Sequence, residues 1–141
     1  ENYRNGKLEM GDPAGEGKYN GSKAYAASKL MLVMFTRELA RRLEGTGITA
    51  NSLHPGVVNS EAFREYPGWF TAMLGLFMSG PEQGAHSVVH VATASELAGV
   101  SGTYFYKTEC TPVIETASND DLCLEVWEYG ERLAGLAALA G

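Results

Sequence analysis

Tyr25 and Lys29 stand four residues apart in a stretch, Lys23 to Leu43, that reads as one long helix and stops at Gly45-Thr46-Gly47. On a helix this spacing stacks the two side chains on one face, so a phenol sits beside an ammonium. A free tyrosine has a pKa of roughly 10, too high for easy proton exchange near neutrality, and a neighbouring cation lowers it by favouring the phenolate. A tyrosine placed this way is a usable general acid or base. After the stop, Ile48 to Leu53 reads as a short strand that delivers the chain to His54-Pro55-Gly56-Val57-Val58-Asn59-Ser60. A Tyr-x-x-x-Lys pair alone is a weak signal, since a tyrosine packed under a solvated lysine stem gives the same spacing. The ordered succession of helix, glycine stop, strand and Pro-Gly turn is more demanding, and it points to an α/β chain.

This succession resembles the short-chain dehydrogenase/reductase family. The likeness rests on Tyr25 and Lys29, on Ser28 before the lysine, on the run Phe35, Thr36, Glu38, Leu39, Ala40 and Leu43, and on the His54-Pro55-Gly56 turn. The wording is most similar to the retinol dehydrogenase branch, whose members carry a similar His-Pro-Gly turn and an acidic residue after the serine, here Glu61 after Ser60. The resemblance implies a Rossmann-like doubly wound parallel sheet and a cofactor, NAD(P), with NADP slightly favoured. It implies that Tyr25 exchanges a proton with the substrate oxygen, and that Lys29 both tunes that phenol and hydrogen-bonds the nicotinamide ribose. The Pro55-Gly56 turn would pass alongside the nicotinamide, with Val58 offering its backbone to the carboxamide and Ser60 its hydroxyl. The hydride itself would come from the cofactor.

The family also binds the dinucleotide through a glycine-rich turn and uses a catalytic serine upstream of the Tyr-x-x-x-Lys helix, and neither has a place here. About two dozen residues precede Tyr25, too few for a Rossmann half built from βαβ units of ~30 residues each. The expectation is a polar loop over 1–21, leading into residues 22–141 as the C-terminal part of a single Rossmann-like NAD(P)-binding domain. The sheet would be incomplete and the fragment alone inactive. Gly11, Gly15 and Gly17 spell the family's GxxxGxG string, but no apolar strand precedes them, Pro13 stands inside, and Lys18-Tyr19-Asn20-Gly21 after them reads as loop. The phosphate cradle needs a strand feeding the turn and a helix N-terminus receiving it. A polar loop is the better reading.

A formal net charge of -6 argues against nucleic acid, which calls for clustered Lys and Arg. Arg37, Arg41 and Arg42 read as the solvated face of their helix. Cys110 and Cys123 form no CxxC pair and suit a reducing compartment, so the location expected is intracellular, cytoplasmic or membrane-associated. Asn20-Gly21-Ser22 is a formal glycosylation acceptor, silent in such a compartment, and Ser22 reads as the helix N-cap.

Further along, Ser79-Gly80-Pro81-Glu82 reads as a capping box. Ala85, Val88, Val89 and Ala92 then recur at i, i+3, i+4 and i+7, a core-facing stripe. Thr103 to Tyr106 is a strand-forming run. Asp120 to Leu136, capped by Ser118 or Asn119, reads as a last amphipathic helix with Val126, Trp127 and Leu133 toward the core. His86 and His90 lie i,i+4, but Ser87 stands where a zinc-protease helix has Glu, so they read as surface or boundary residues and no metal is expected.

Gly68 to Met78 is the most apolar stretch and too short to span a bilayer, which takes ~20 residues. The family's segment after the Pro-Gly turn covers the substrate. Trp69 and Phe70 are therefore candidate contacts to an apolar alcohol, aldehyde or ketone, such as a retinoid, steroid or lipid-like molecule, with helical core and shallow membrane contact as the competing readings. Two other functions stay open: a non-catalytic Rossmann-like interaction module that kept the helix for packing, and an extended-type sugar-nucleotide epimerase or dehydratase. The oligomeric state is unknown from the sequence.

Overall fold

The structure is a computed structural model of the 141-residue chain, and it describes residues 2–8, 17, 19–56 and 81–136. The elements in chain order are a 3-10 turn Asn2–Asn5, helix α1 Gly21–Arg42, strand β1 Ser52–His54, helix α2 Pro81–Thr93, a 3-10 turn Ser95–Leu97, strands β2 Tyr104–Tyr106 and β3 Glu109–Cys110, and helices α3 Glu115–Ser118 and α4 Asp120–Leu133. Helices alternating with a small sheet fit an α/β, Rossmann-like arrangement. The chain packs as two compact units, one of Glu1–Ser52, Gly99–Thr103 and Pro112–Gly141, the other of Leu53–Ala98 and Tyr104–Thr111.

The first unit is organised by α1. Its N-cap is Asn20, whose side-chain oxygen accepts from the Lys23 backbone N–H at 3.1 Å. The cap expected at Ser22 therefore lies two residues earlier, because the extended backbone at Asn20 (φ -134, ψ 113) is what aims a side chain at the orphan amides. At the other end the predicted glycine stop forms, with Gly45 and Gly47 at φ 76 and 80, where a Cβ is penalised. The buried face repeats at helical spacing through Ala26, Ala27, Leu30, Val33, Met34, Glu38 and Ala40.

Against α1 packs the amino-terminal turn. The leading segment reads as a polar loop, yet Tyr3 within it is buried. Gly6 lies so close to α1 that an added Cβ would stand 2.7 Å from the Ala26 carbonyl oxygen. Arg4 ties the same turn to a distant segment by donating to the Pro112 carbonyl oxygen at 2.8 Å.

Helix α4 supplies the other wall, with Val126 and Cys123 buried. Asn119 caps it, accepting from the Leu122 N–H at 3.0 Å. The helix stops at Leu133 rather than Leu136, with Gly135 at φ 70 just beyond, a common C-terminal stop. Leu133, expected in the core, is exposed at that end.

In this unit the approach to β1 pairs with the approach to β2: Gly102 N–H donates to Ala50 O at 2.8 Å and Ser52 N–H to Thr103 O at 3.0 Å. The partners climb together, so the two segments run parallel. The Asn51 side chain completes the ladder, donating to Val100 O at 2.8 Å and accepting from Thr103 N–H at 3.0 Å. Regular strand begins at Ser52, later than the Ile48 expected from composition, and Ile48 is exposed.

The second unit holds the sheet, in the order β1-β2-β3. β2 and β3 form an antiparallel hairpin with Phe105 opposite Cys110 and Tyr106 opposite Glu109. Tyr104 and Phe105 are buried. Helix α2 forms where the capping-box residues place it, but its stripe does not face a core. Val88 and Val89 are more than half exposed and Ala85 and Ala92 are exposed, whereas Gly84 and Ser87 are buried. Helical periodicity fixes which residues share a face but not what covers that face, and here the small residues are the ones turned inward.

Candidate active site

The first turns of α1 place Tyr25 and Lys29 on adjacent coils of one face, as their spacing requires. The Lys29 ammonium nitrogen lies 5.3 Å from the centre of the Tyr25 ring, within the reach of a cation–π attraction. Tyr25 is 52% exposed, so the phenol is presented rather than packed away. Ser28 does not join it as a free hydroxyl: its Oγ donates to the Tyr25 carbonyl oxygen at 2.8 Å. Beside Tyr25 an open cleft of about 450 Å³ is lined by Asn5, Gly21, Ser22, Lys23, Tyr25 and Ala26. Asn5 enters it because the amino-terminal turn folds back on α1. No spacing rule reports such a return of the chain, so nothing in the sequence singled Asn5 out.

Pro55 and Gly56 follow β1 in the second unit. Gly56 is buried at φ 89, a backbone state that residues with a side chain rarely adopt. Val58, Ser60, Trp69 and Phe70 lie outside the described residues, as do Gly11 and Gly15 of the glycine string.

Away from this pair, Glu38 is a buried carboxylate on α1. Arg41 donates to both its oxygens, Nε to Oε2 and Nη2 to Oε1, each at 2.7 Å, and Arg42 Nε donates to Oε1 at 2.7 Å. These hydrogen bonds, Arg41's first, hold the Glu38 carboxyl below its usual range against the opposing effect of burial, and Glu38 in turn raises Arg41. The arginine cluster is thus more than a solvated face: a buried carboxylate requires counter-charge, and Arg41 and Arg42 supply it while their outer edges meet water. Arg37 instead reaches Asp120 of α4, Nη2 to Oδ1 at 3.7 Å.

Cys123, its thiol raised by burial, sits 3.6 Å from the Ala117 carbonyl oxygen, and Cys110 is exposed; both are unbridged. His86 and His90 stack with centroids 6.3 Å apart, and no three metal-binding side chains gather among the described residues. Among those residues no helix is long and apolar enough to cross a membrane.

With the paired Tyr25 and Lys29 and the Pro-Gly turn in view, comparison with known proteins gives one answer. The profile of the family described as short chain dehydrogenase matches residues 9–69 of this chain. The chain is similar to retinol dehydrogenases: it is 35% identical over 140 residues to retinol dehydrogenase 14 of Homo sapiens, covering 95% of this chain and 42% of that protein. It is 38% identical over 129 residues to human retinol dehydrogenase 13, covering 86% of this chain and 39% of that one. The fold is similar to that in the crystal structure of an uncharacterised protein from Mycobacterium paratuberculosis, with a TM-score of 0.65 and 21% identity over 94% of this chain and 46% of that one. The chain spans less than half the length of these proteins.

Proposed function

We propose that the whole protein is an NAD(P)-dependent oxidoreductase that interconverts an alcohol and a carbonyl group on an apolar substrate. The observation that carries this reading is the Tyr25 phenol, half exposed beside an open cleft, with the Lys29 ammonium 5.3 Å from its ring. A bound nicotinamide would supply the hydride. Tyr25 exchanges the proton with the substrate oxygen, with the Lys29 ammonium held beside its ring. Lys29 also holds the nicotinamide ribose, Pro55 and Gly56 lie along the ring, and Val58 and Ser60 hold the carboxamide. NADP is the slightly favoured form. The sheet described above is then part of a larger doubly wound sheet, and residues 1–141 alone bind dinucleotide weakly and are inactive.

The names of the relatives support a retinoid or similar apolar alcohol as substrate, and Trp69 and Phe70 are the side chains proposed to contact it. The proposed location is intracellular, with peripheral membrane contact through the same apolar stretch. The test is a pair of substitutions in the whole protein. Tyr25→Phe keeps the ring but removes the proton donor, so turnover should fall at least 100-fold, of the order that general acid–base catalysis supplies, while NADPH still binds. Lys29→Ala should damage both. Near-normal turnover by Tyr25→Phe would overturn the assignment.

A further inference from the structure

His54 is the last residue of β1, and its ring does something its position in the sequence does not announce. The Gly56 backbone N–H donates to His54 Nδ1 at 2.9 Å, so the imidazole closes the Pro-Gly turn from within. An imidazole accepting at Nδ1 is neutral there and carries its proton on Nε2. Gly56, buried at φ 89, lies in the turn that this bond closes.

The ring is itself held. Its centre lies 5.6 Å from that of Tyr106 on the neighbouring strand, with the planes inclined by 38°. The His54 carbonyl oxygen accepts from the Lys107 N–H at 2.8 Å. Lys107 has φ 57 and is the one non-glycine residue at positive φ among those described; such a backbone costs roughly 1–2 kcal/mol for an ordinary side chain. Its ammonium reaches back to within 5.8 Å of the Tyr106 ring centre. Strain of this kind persists where surrounding contacts determine it, and here it sits at the carboxyl ends of β1 and β2. In open α/β sheets, ligands bind outside the carboxyl ends of the strands.

We propose that His54 is a positioning residue for the cofactor: its Nδ1 fixes the Gly56 amide, and Tyr106 braces the ring, so that the Pro55-Gly56 turn keeps the shape that receives the nicotinamide. This role rests on the proposed function above, which puts the nicotinamide against that turn. It commits to an acceptor atom rather than to ring bulk, and the two are separable. His54→Phe keeps an aromatic ring against Tyr106 and loses the acceptor. His54→Asn loses the ring but offers a carbonyl oxygen within reach of the same N–H.

The experiment measures dissociation constants for NADPH and NADH by fluorescence titration of the whole protein, together with melting temperatures and exchange of the Gly56 amide. The expected result is a Kd about five- to tenfold weaker in His54→Phe, the size of one net hydrogen bond, with faster Gly56 exchange and recovery of most of both in His54→Asn. If the Phe variant does not fold, His54→Ala takes its place with the same readouts. Unchanged Kd in the acceptor-less variant would overturn the proposal, and so would an equal loss in Asn and Phe. Tyr25→Phe, assayed alongside, separates the two levels. If it is inactive while His54→Phe binds cofactor normally, only the role of His54 falls; if it turns over normally, the site reading falls and takes the role of His54 with it.

Discussion

Phe35 and Trp127 stack with ring centroids 4.6 Å apart and planes inclined by 14°, and through this pair the helix that carries Tyr25 and Lys29 is joined to α4. Arg42 adds a second hold, its guanidinium carbon 4.4 Å from the centre of the Trp127 ring. Phe35 and Arg42 lie two turns apart on α1, about 10.5 Å along the axis, which leaves room for one ring between them. Arg42 also bonds Glu38, so the same side chain serves the stack and the buried carboxylate.

Trp127→Ala should therefore cost about 2–3 kcal/mol, somewhat less than the 3–5 typical of a fully buried ring, because Trp127 is only half-buried. Its Nε1 is buried with no hydrogen-bond partner among the described residues. Trp127→Phe keeps a stacking ring and removes that donor, so it should cost under about 1 kcal/mol. Urea unfolding midpoints at constant slope measure both. Equal losses for Ala and Phe would mean that the stack does not hold the helices together.

Glu38 predicts an acid-sensitive interface. Its carboxyl is held below its usual range chiefly by the Arg41 hydrogen bonds, so the folded state binds the proton less readily than the unfolded chain. The stabilisation is then complete above the unfolded value, about 4.3, and is lost as the pH falls through the lower folded value. Glu38→Gln should lower stability at pH 7 and narrow the gap to the native sequence as the pH drops below about 4. Unfolding midpoints of the two proteins across that range decide it. A gap independent of pH would show that the charge of Glu38 contributes nothing.

Gly6 and Gly45 separate two reasons for glycine. A Cβ at Gly6 would stand 2.7 Å from the Ala26 backbone oxygen and 3.0 Å from the Leu30 Cβ, whereas one at Gly45, at φ 76, would meet nothing within 4 Å among the described residues. Gly6→Ala should displace the amino-terminal turn from α1 at a cost of about 1–3 kcal/mol, as overpacking does. Gly45→Ala should cost about 1 kcal/mol through backbone strain alone. Only the first should disturb the cleft beside Tyr25, readable from the Asn5 and Tyr25 NMR shifts.

What was legible in advance was local. Tyr25 and Lys29 meet because a spacing of four on a helix leaves them little choice, and Gly45 and Gly47 end that helix because they alone tolerate the backbone there. What was not legible depended on chain segments far apart in sequence or on small differences in backbone. Asn20 rather than Ser22 caps α1, although both stand in one Asn-Gly-Ser string. The β2–β3 hairpin turns at Lys107 instead of at a glycine or asparagine, so it lacks the usual signal. The stripe on α2 shares one helix face, as its spacing requires, but that face is exposed. Tyr3 and Asn5 reach α1 through a fold-back that the polar wording around them hides.

The substrate prediction rests on composition. Residues 69–78 carry seven large apolar side chains among ten and no charge, a composition that is costly in water unless something apolar covers or occupies it. If this stretch meets the substrate, the whole protein should prefer long apolar alcohols or aldehydes over sugars and small hydroxy acids. Replacing Trp69 and Phe70 by Ser should then raise KM for a long apolar substrate far more than for a short one, since each large side chain contributes ~1.5–3 kcal/mol of apolar burial. Steady-state kinetics on retinal and on a short aldehyde compare the two. A short aldehyde makes no contact with the far end of such a surface, so a KM that rises equally for both would place Trp69 and Phe70 in the core and remove the ground for an apolar preference.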